Sequence, residues 1–321
     1  NAVINWEGEV QNPVFGLKDT LYRFAGGTVI LKKVMLPEVH DNYSLFAEVT
    51  EYSAGDAYDR TGTVFVIPQG DPLTFLDGLT KGHRVLPVHT DRHGKEYTGV
   101  AATDDYRPPV ELVRFFTPFG VRGFNDRRTV PGLTWQDSAF YKQDITRYLP
   151  LLRGETWIGA FIGNYDRGGH RISLRLKYYP DTRDLEPPAG AGKWISSVFN
   201  TLPILEMAGQ QYGTMFDGDT LSVTADIPEG LRSLHMVFIT TGHGGWGGGD
   251  EFNPKLNELL LDGRRILSYI PWRSDCGTYR NFNPASGNFW NGLSSSDYSR
   301  SGWCPGSVSQ PLIIPLDGLV P

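Results

Sequence analysis

Short apolar runs of period two, each closed by turn residues, recur along this 321-residue chain and direct it towards antiparallel sheet. In the first half they are Thr28 to Val34, Leu45 to Val49, Thr63 to Ile67, Thr156 to Ile162 and Arg171 to Tyr179. Thr220 to Ala225, Leu234 to Ile239, Leu256 to Leu261 and Leu312 to Ile314 continue them in the second half. Alternation of this kind suits sheets with one buried face. The 38 glycines and 22 prolines supply turns at a density that favours many short strands over long helices. The best helical stretch, Asp144 to Leu152, has room for a turn or two. Between the halves, Tyr179 to Gly192 reads YPDTRDLEPPAGAG, rich in Pro, Gly and acids and without periodicity, as expected of an inter-domain linker. The fold expected is therefore all-β, two consecutive antiparallel sandwiches over residues 1–182 and 188–321, with no internal repeat.

A net charge of -6 and the lack of any basic stripe argue against a nucleic-acid partner. No apolar run approaches the ~18 residues of a membrane span. The sequence opens at Asn1 without a visible signal peptide, as expected of a processed or trimmed form. Cys276 and Cys304 stand among Gly, Asn, Ser and Pro, with no Cys-x-x-Cys and no nearby His pair, so a disulfide fits better than zinc or free thiols. A disulfide in turn implies an oxidising setting: secreted, periplasmic or cell-surface.

Chemistry-bearing residues cluster in a few places. Thr240 to Gly249 reads TTGHGGWGGG and ends in Asp250, Glu251 and Phe252. A loop so poor in side chains lets a ligand approach backbone closely and carries Trp246 and the carboxylate Glu251 to a point near strand ends; the plain alternative is a flexible hairpin. Asp56-Ala57-Tyr58-Asp59-Arg60 sits before the strand at Thr63, where a guanidinium can hold a carboxylate ionised, or where a solvated turn can carry a surface ion pair. Pro68 to Pro109 looks like a long loop of little apolar content, holding His83, His89 and His93 with Asp91 and Asp104. The spacing of His89 and His93 puts them on one face of a helix or strand, which permits a metal site, although a solvated loop is the ordinary home for such histidines.

Five segments in order resemble the peptide-N4-(N-acetyl-β-glucosaminyl)asparagine amidase F family, the bacterial peptide:N-glycosidase F type. They are Tyr58-Asp59-Arg60 before a strand, Arg114-Phe115-Phe116-Thr117-Pro118-Phe119, Asp144-Ile145-Thr146 with Leu151-Leu152-Arg153-Gly154, the Gly-Trp loop ending in Glu251-Phe252, and Arg300-Ser301-Gly302-Trp303-Cys304-Pro305-Gly306. The resemblance implies two eight-stranded antiparallel jelly rolls packed side by side, with the active site in the cleft between them and a disulfide closed by the cysteine of the last motif. It implies hydrolysis of the amide joining an N-linked glycan to asparagine in glycoproteins or glycopeptides, with release of a glycosylamine, conversion of Asn to Asp, and no metal or cofactor. By position it makes Asp59 the principal catalytic carboxylate, Glu251 a second one, Arg60 and Arg300 the arginines of the site, and Trp303, Trp246, Tyr58 and Tyr165 its substrate-binding aromatics.

Residue chemistry agrees. Amide hydrolysis needs an activated water, a stabilised oxyanion and a protonated leaving amine. Asp59 suits a general base or a hydrogen-bond partner of the sugar-amide unit, Arg60 or Arg300 suits the oxyanion, Glu251 suits positioning of water or substrate with a raised pKa, and tryptophan faces suit sugar rings. A carboxylate pair alone would equally suit a glycosidase. Two departures stand out. A further glutamate of the family falls opposite Gly163, with Asn164 and Asp166 as nearby substitutes, and the family continues for several strands beyond the last motif whereas this chain stops at Pro321, so an open edge or strands supplied elsewhere are expected. Two rival readings stay open: a glycan- or glycoprotein-binding protein of the same fold without turnover, and a metal-dependent oxidoreductase using His89, His93 and His243.

Overall fold

The computed structural model describes residues 1–319 except 18, 40–41, 181–192, 203–211, 213–214, 217 and 232. These form two compact units that interleave along the chain. Unit 1 comprises Asn1–Asp56, Arg60–Arg114 and Phe140–Ala225, and unit 2 comprises Ala57–Asp59, Phe115–Ala139 and Asp226–Pro321. The three-residue excursion Ala57–Asp59 divides a motif, because it gives Asp59 to unit 2 while Arg60, its neighbour in the chain, belongs to unit 1.

Unit 1 is built from strands β1 (Ala2–Ile4), β2 (Leu21–Phe24), β3 (Val29–Leu36), β4 (Tyr43–Ser53) and β5 (Thr61–Val66), helix α1 (Phe75–Lys81), and strands β6 (Val88–Thr90), β7 (Glu96–Thr98), β8 (Val110–Phe116, of which Phe115 and Phe116 belong to unit 2), β9 (Ala139–Asp144, of which Ala139 belongs to unit 2), β10 (Gly154–Ile162) and β11 (His170–Pro180). One sheet runs β1-β11-β4-β9; in the other, the strands of this unit run β8-β5-β10-β3-β2. β4 and β11 pair antiparallel along their whole length, from His170 opposite Ser53 to Pro180 opposite Tyr43. In the second sheet Gly159 of β10 lies opposite Phe65 of β5, and a Cβ at Gly159 would come within 2.1 Å of the Phe65 ring, so glycine is what lets the ring lie across the strand.

The second sheet departs from the expectation of one buried face. β5 and β10 are buried almost throughout. Phe65, Ile67, Trp157 and Phe161 meet Phe75 of α1, Leu86, Tyr106 and Leu202 in one apolar cluster. The Pro68 to Pro109 stretch is thus no solvated loop: it folds into α1 and the β6–β7 hairpin and covers a sheet face. A further small cluster of Tyr97, Val100 and Met215 extends the cover. The sequence places residues 188–225 at the start of the second domain, whereas the described part of that stretch packs in unit 1 and Thr220 to Ala225 forms no strand. The expected helix between Asp144 and Leu152 is a 3-10 helix, Thr146–Leu151. Tyr179 and Pro180 still belong to β11, and the remainder of the expected linker, 181–192, lies outside the described residues.

Unit 2 has less regular structure among its described residues. β12 (His235–Phe238) pairs with β18 (Leu312–Pro315), β13 (Asn257–Leu261) with β14 (Arg264–Tyr269), and β15 (Trp272–Arg273) with β16 (Arg300–Ser301). Near β17 (Val308–Ser309), the Phe116 N–H donates to the Ser307 carbonyl at 2.9 Å and the Phe116 carbonyl accepts from Gly306 at 3.0 Å. Much of the rest is turn and 3-10 helix. Cys276 and Cys304 are fully buried and joined as a disulfide, which fastens the 3-10 helix Cys276–Phe282 to the Arg300 to Gly306 motif.

Replacing both cysteines by alanine is accordingly expected to destabilise the chain by roughly 3 to 4 kcal/mol, the chain-entropy cost of opening a loop of that size. Chemical denaturation of the double variant checks this, and an unchanged midpoint would contradict it.

Candidate active site

Arg300 opens β16 and is fully buried. Its Nη1 donates to Asp59 Oδ2 at 2.7 Å and to Glu251 Oε1 at 2.7 Å, while Nη2 donates to the Ser295 carbonyl at 2.7 Å and to Ser295 Oγ at 3.1 Å. The guanidinium carbon lies 4.3 Å from the centre of the Trp303 ring and 5.0 Å from that of Phe252. Guanidinium is the side chain best suited to such a place, because its planar fork accepts aromatic neighbours and aims several donors at once. One buried cation therefore ties together two carboxylates that stand far apart in sequence.

Trp303 packs against this cation. Its ring stacks on Phe116 with centroids 4.0 Å apart, its Nε1 donates to the Gly242 carbonyl at 2.8 Å, and it is only 4% exposed. The expectation that Trp303 offers a flat face to substrate is corrected on that ground: neighbouring rings and the guanidinium already cover it. Gly302 makes the placement possible, since its φ of +81° suits glycine and a Cβ there would come within 2.5 Å of the Thr240 carbonyl.

The glycine loop is not a free hairpin either. At its neck, Gly242 N–H donates to the Ser301 carbonyl and Ser301 N–H to the Glu251 carbonyl, both at 2.9 Å. Asp250 N–H donates to the His243 carbonyl at 3.0 Å, and Asp250 Oδ1 accepts from His243 N–H at 2.7 Å. Asp250 is thus the staple and Glu251 the carboxylate turned towards Arg300. Glu251 Oε2 also accepts from Gly245 N–H at 3.2 Å. Burial pushes the Glu251 pKa above the ordinary glutamate value, Arg300 pulls it back, and the like charge of Asp59 adds to the rise.

Beside this carboxylate Trp246 sits in a nest of rings. Its centroid distances are 4.2 Å to Phe252, 4.8 Å to Phe289, 5.0 Å to Trp290 and 5.3 Å to Tyr298. Trp290 is 78% exposed. Sequence reasoning missed Trp290, Phe289, Tyr298 and Ser295; for Phe289 and Trp290 the aromatic pair in Gly287-Asn288-Phe289-Trp290-Asn291-Gly292 is a signal that was there to use. Tyr58 is exposed, and its carbonyl accepts from Thr117 Oγ1 at 3.3 Å within the same unit.

The remaining candidates lie in unit 1, apart from His243 in unit 2. Arg60 donates from Nε to Asp56 Oδ2 at 2.8 Å and from Nη2 to Asp56 Oδ1 at 3.3 Å, and its guanidinium lies 5.8 Å from the ring centre of Tyr165, itself 67% exposed. Asn164 is buried and donates to the carbonyls of Ile4 and Ile162, while Asp166 Oδ1 accepts from Gly168 and Gly169 N–H. Both side chains hold the loop after β10. The histidines have separate neighbours: His83 Nδ1 contacts Thr98 Oγ1 at 3.0 Å, His89 faces Tyr97, His93 Nε2 accepts from Arg92 Nε at 3.1 Å, and His243 Nε2 contacts Thr241 Oγ1 at 2.9 Å. Among the described residues no group of three or more His, Cys, Asp or Glu is arranged to hold a metal ion, and no helix is long and apolar enough to cross a membrane.

Comparison with known proteins bears on both units. The family description Peptide-N-glycosidase F, N terminal, matches residues 1–178, and Peptide-N-glycosidase F, C terminal, matches residues 211–320. A structure of PNGF-II is similar over 98% of this chain, with 47% sequence identity and a TM-score of 0.86. The chain spans 57% of the length of that protein. PNGase F, a glycosylasparaginase from Flavobacterium meningosepticum, is similar in fold, with a TM-score of 0.53 at 16% identity over 92% of this chain and 79% of its own. A comparison with curated protein sequences returns no match. With its two halves matched in order and a solved relative identical at nearly half of its positions, the chain belongs to the peptide-N-glycosidase F family.

Proposed function

We propose that this protein hydrolyses the β-aspartylglucosamine amide of N-linked glycoproteins or glycopeptides, releasing the glycan as a glycosylamine and converting Asn to Asp. The observation that carries this reading is the single buried guanidinium of Arg300 bridging Asp59 and Glu251. Two partly accessible carboxylates held in one place by a cation suit water activation at a poorly reactive amide, and family membership supports the amide over the glycosidic bond.

In this reading Asp59 accepts a proton from water as the water oxygen adds to the carboxamide carbon of the glycosylated asparagine. The proton passes on to the departing nitrogen as the C–N bond breaks, so the products are an aspartate side chain and a glycosylamine. Arg300 has Nη1 and Nη2 engaged with Asp59, Glu251 and Ser295, so its part is to position the carboxylates. Arg60, less buried and beside the exposed Tyr165, is the arginine we assign to the developing oxyanion. Glu251, ionised and held by Arg300, orients the water. The ring wall of Trp246 and Trp290 is assigned to a sugar face, since broad apolar rings with an N–H at the edge suit a pyranose. The disulfide favours a secreted, periplasmic or cell-surface setting.

Incubation with a denatured N-glycoprotein, read by peptide mass spectrometry, is expected to show Asn-to-Asp conversion at the former glycan sites. Asp59→Asn lowers kcat by about 100- to 10,000-fold if it removes the general base, and Trp290→Ala raises KM more than it lowers kcat. A wild-type protein that retains glycan but never converts Asn would establish the binding-protein alternative instead.

The pH profile provides a separate check. Because the Glu251 pKa is raised above 4.5 and its ionised form is the working one, activity is expected to rise with pH along an acid limb lying above that value. Glu251→Gln is expected to change the position of the limb in the residual activity, since Asp59 as the base must stay ionised as well. A limb that persists unchanged in the variant would remove Glu251 from the ionising machinery.

A further inference from the structure

A second set of charges lies buried in unit 1. His170, the first residue of β11, is fully buried, as is Glu51 of β4, and Asp56 in the turn between β4 and β5 is nearly so. His170 Nδ1 lies 2.8 Å from Glu51 Oε1, and its Nε2 lies 3.5 Å from Asp56 Oδ2, a long ion pair and not a hydrogen bond. The same Asp56 oxygen accepts from Arg60 Nε. Tyr141 of β9 also acts on the Glu51 carboxylate. The order Glu51, His170, Asp56, Arg60 therefore alternates acid and base from deep between strands out to a partly exposed guanidinium, and its formal charges cancel when the imidazole is protonated.

Nothing about strand pairing calls for such a set. Backbone bonds already close this corner, with Ala54 N–H and Asp56 N–H both donating to the Gly169 carbonyl. Buried ion pairs are weak contributors to stability, and apolar residues of similar volume would serve as well. What the set does accomplish is to hold one guanidinium in one orientation: Asp56 takes Arg60 in a two-point grip, and His170 with Glu51 behind it fixes the Asp56 carboxylate.

We infer that Glu51, His170 and Asp56 are positioning residues that set the Arg60 guanidinium for the amide hydrolysis proposed above. The inference rests on that reading, since Arg60 follows Asp59 directly in the chain. Burial pulls the His170 pKa down, but the neighbouring carboxylates of Asp56 and Glu51 outweigh it and hold the ring's pKa up at about 9. Burial likewise pushes the Glu51 pKa up against the bond to His170. The groups facing the imidazole are thus Glu51 from β4 and Asp56 from the turn, with Arg60 and Tyr141 one contact further out.

The test is a double-mutant cycle on glycopeptide turnover, with wild-type turnover measured first. His170→Gln is expected to lower kcat by about 10- to 100-fold, the cost of a misplaced catalytic group, while KM changes little. Arg60→Lys is expected to do the same, and the double variant to be no worse than either single one, because both act through one guanidinium. Additive losses, or full activity in His170→Gln, would overturn the inference. Should His170→Gln fail to fold, the wild-type protein still decides: the Arg60 Nε–H signal in nitrogen NMR is expected to titrate with a midpoint near that of the imidazole, and a signal indifferent to pH between about 7 and 10 would overturn it. Absence of wild-type turnover defeats the amidase reading itself, and the positioning role with it.

Discussion

The site in unit 2 depends on the guanidinium of Arg300. Asp59 arrives on a three-residue excursion of the chain, Glu251 at the end of a glycine loop and Ser295 on a short 3-10 helix, and each ends on this one cation. A charge buried this deeply is costly unless its donors are satisfied, and the carboxylates and the Ser295 oxygens meet that need for both terminal nitrogens. Removing any one partner leaves the others with an imbalance, so the three segments are held to a common geometry. Trp303 and Phe116 complete the arrangement by stacking beneath it, and the Cys276–Cys304 disulfide fixes the chain next to Trp303.

Around this anchor the roles separate by exposure. Arg300 and Trp303 are buried, whereas Tyr58 and Trp290 present surface to solvent. The glycines of the loop let its backbone fold close on itself, so that Asp250 can staple the neck and Gly245 can reach Glu251. Local economy of side chains thus translates into a fixed carboxylate with open space near it.

Much of this was legible in the sequence. Period-two or short apolar runs located β3, β4, β5, β10, β11, β12, β13 and β18, although β5 and β10 are buried almost throughout and not on one face alone. The ordered motifs singled out Asp59, Glu251 and Arg300, and the structure brings those three together within unit 2. What escaped was decided by contacts distant in sequence. Trp303 reads as a sugar platform until Phe116 is found stacked on it. The Pro68 to Pro109 stretch reads as loop because its apolar residues, among them Phe75, Leu86 and Tyr106, become meaningful only against the face of β5 and β10 that they cover. Glu51 and His170 gave no signal at all: a buried acid and imidazole in strands are recognisable only when β4 and β11 lie side by side.

A carboxylate pair on a cation suits cleavage of either a glycosidic or an amide bond, so the bond broken is the decisive point. Digesting an N-glycopeptide in water enriched in heavy oxygen and reading both products by mass spectrometry distinguishes the two. If water attacks the amide, one heavy oxygen appears in the new aspartate of the peptide and the peptide carries no sugar. A heavy oxygen found in the released glycan, with N-acetylglucosamine still attached to asparagine, would contradict the account.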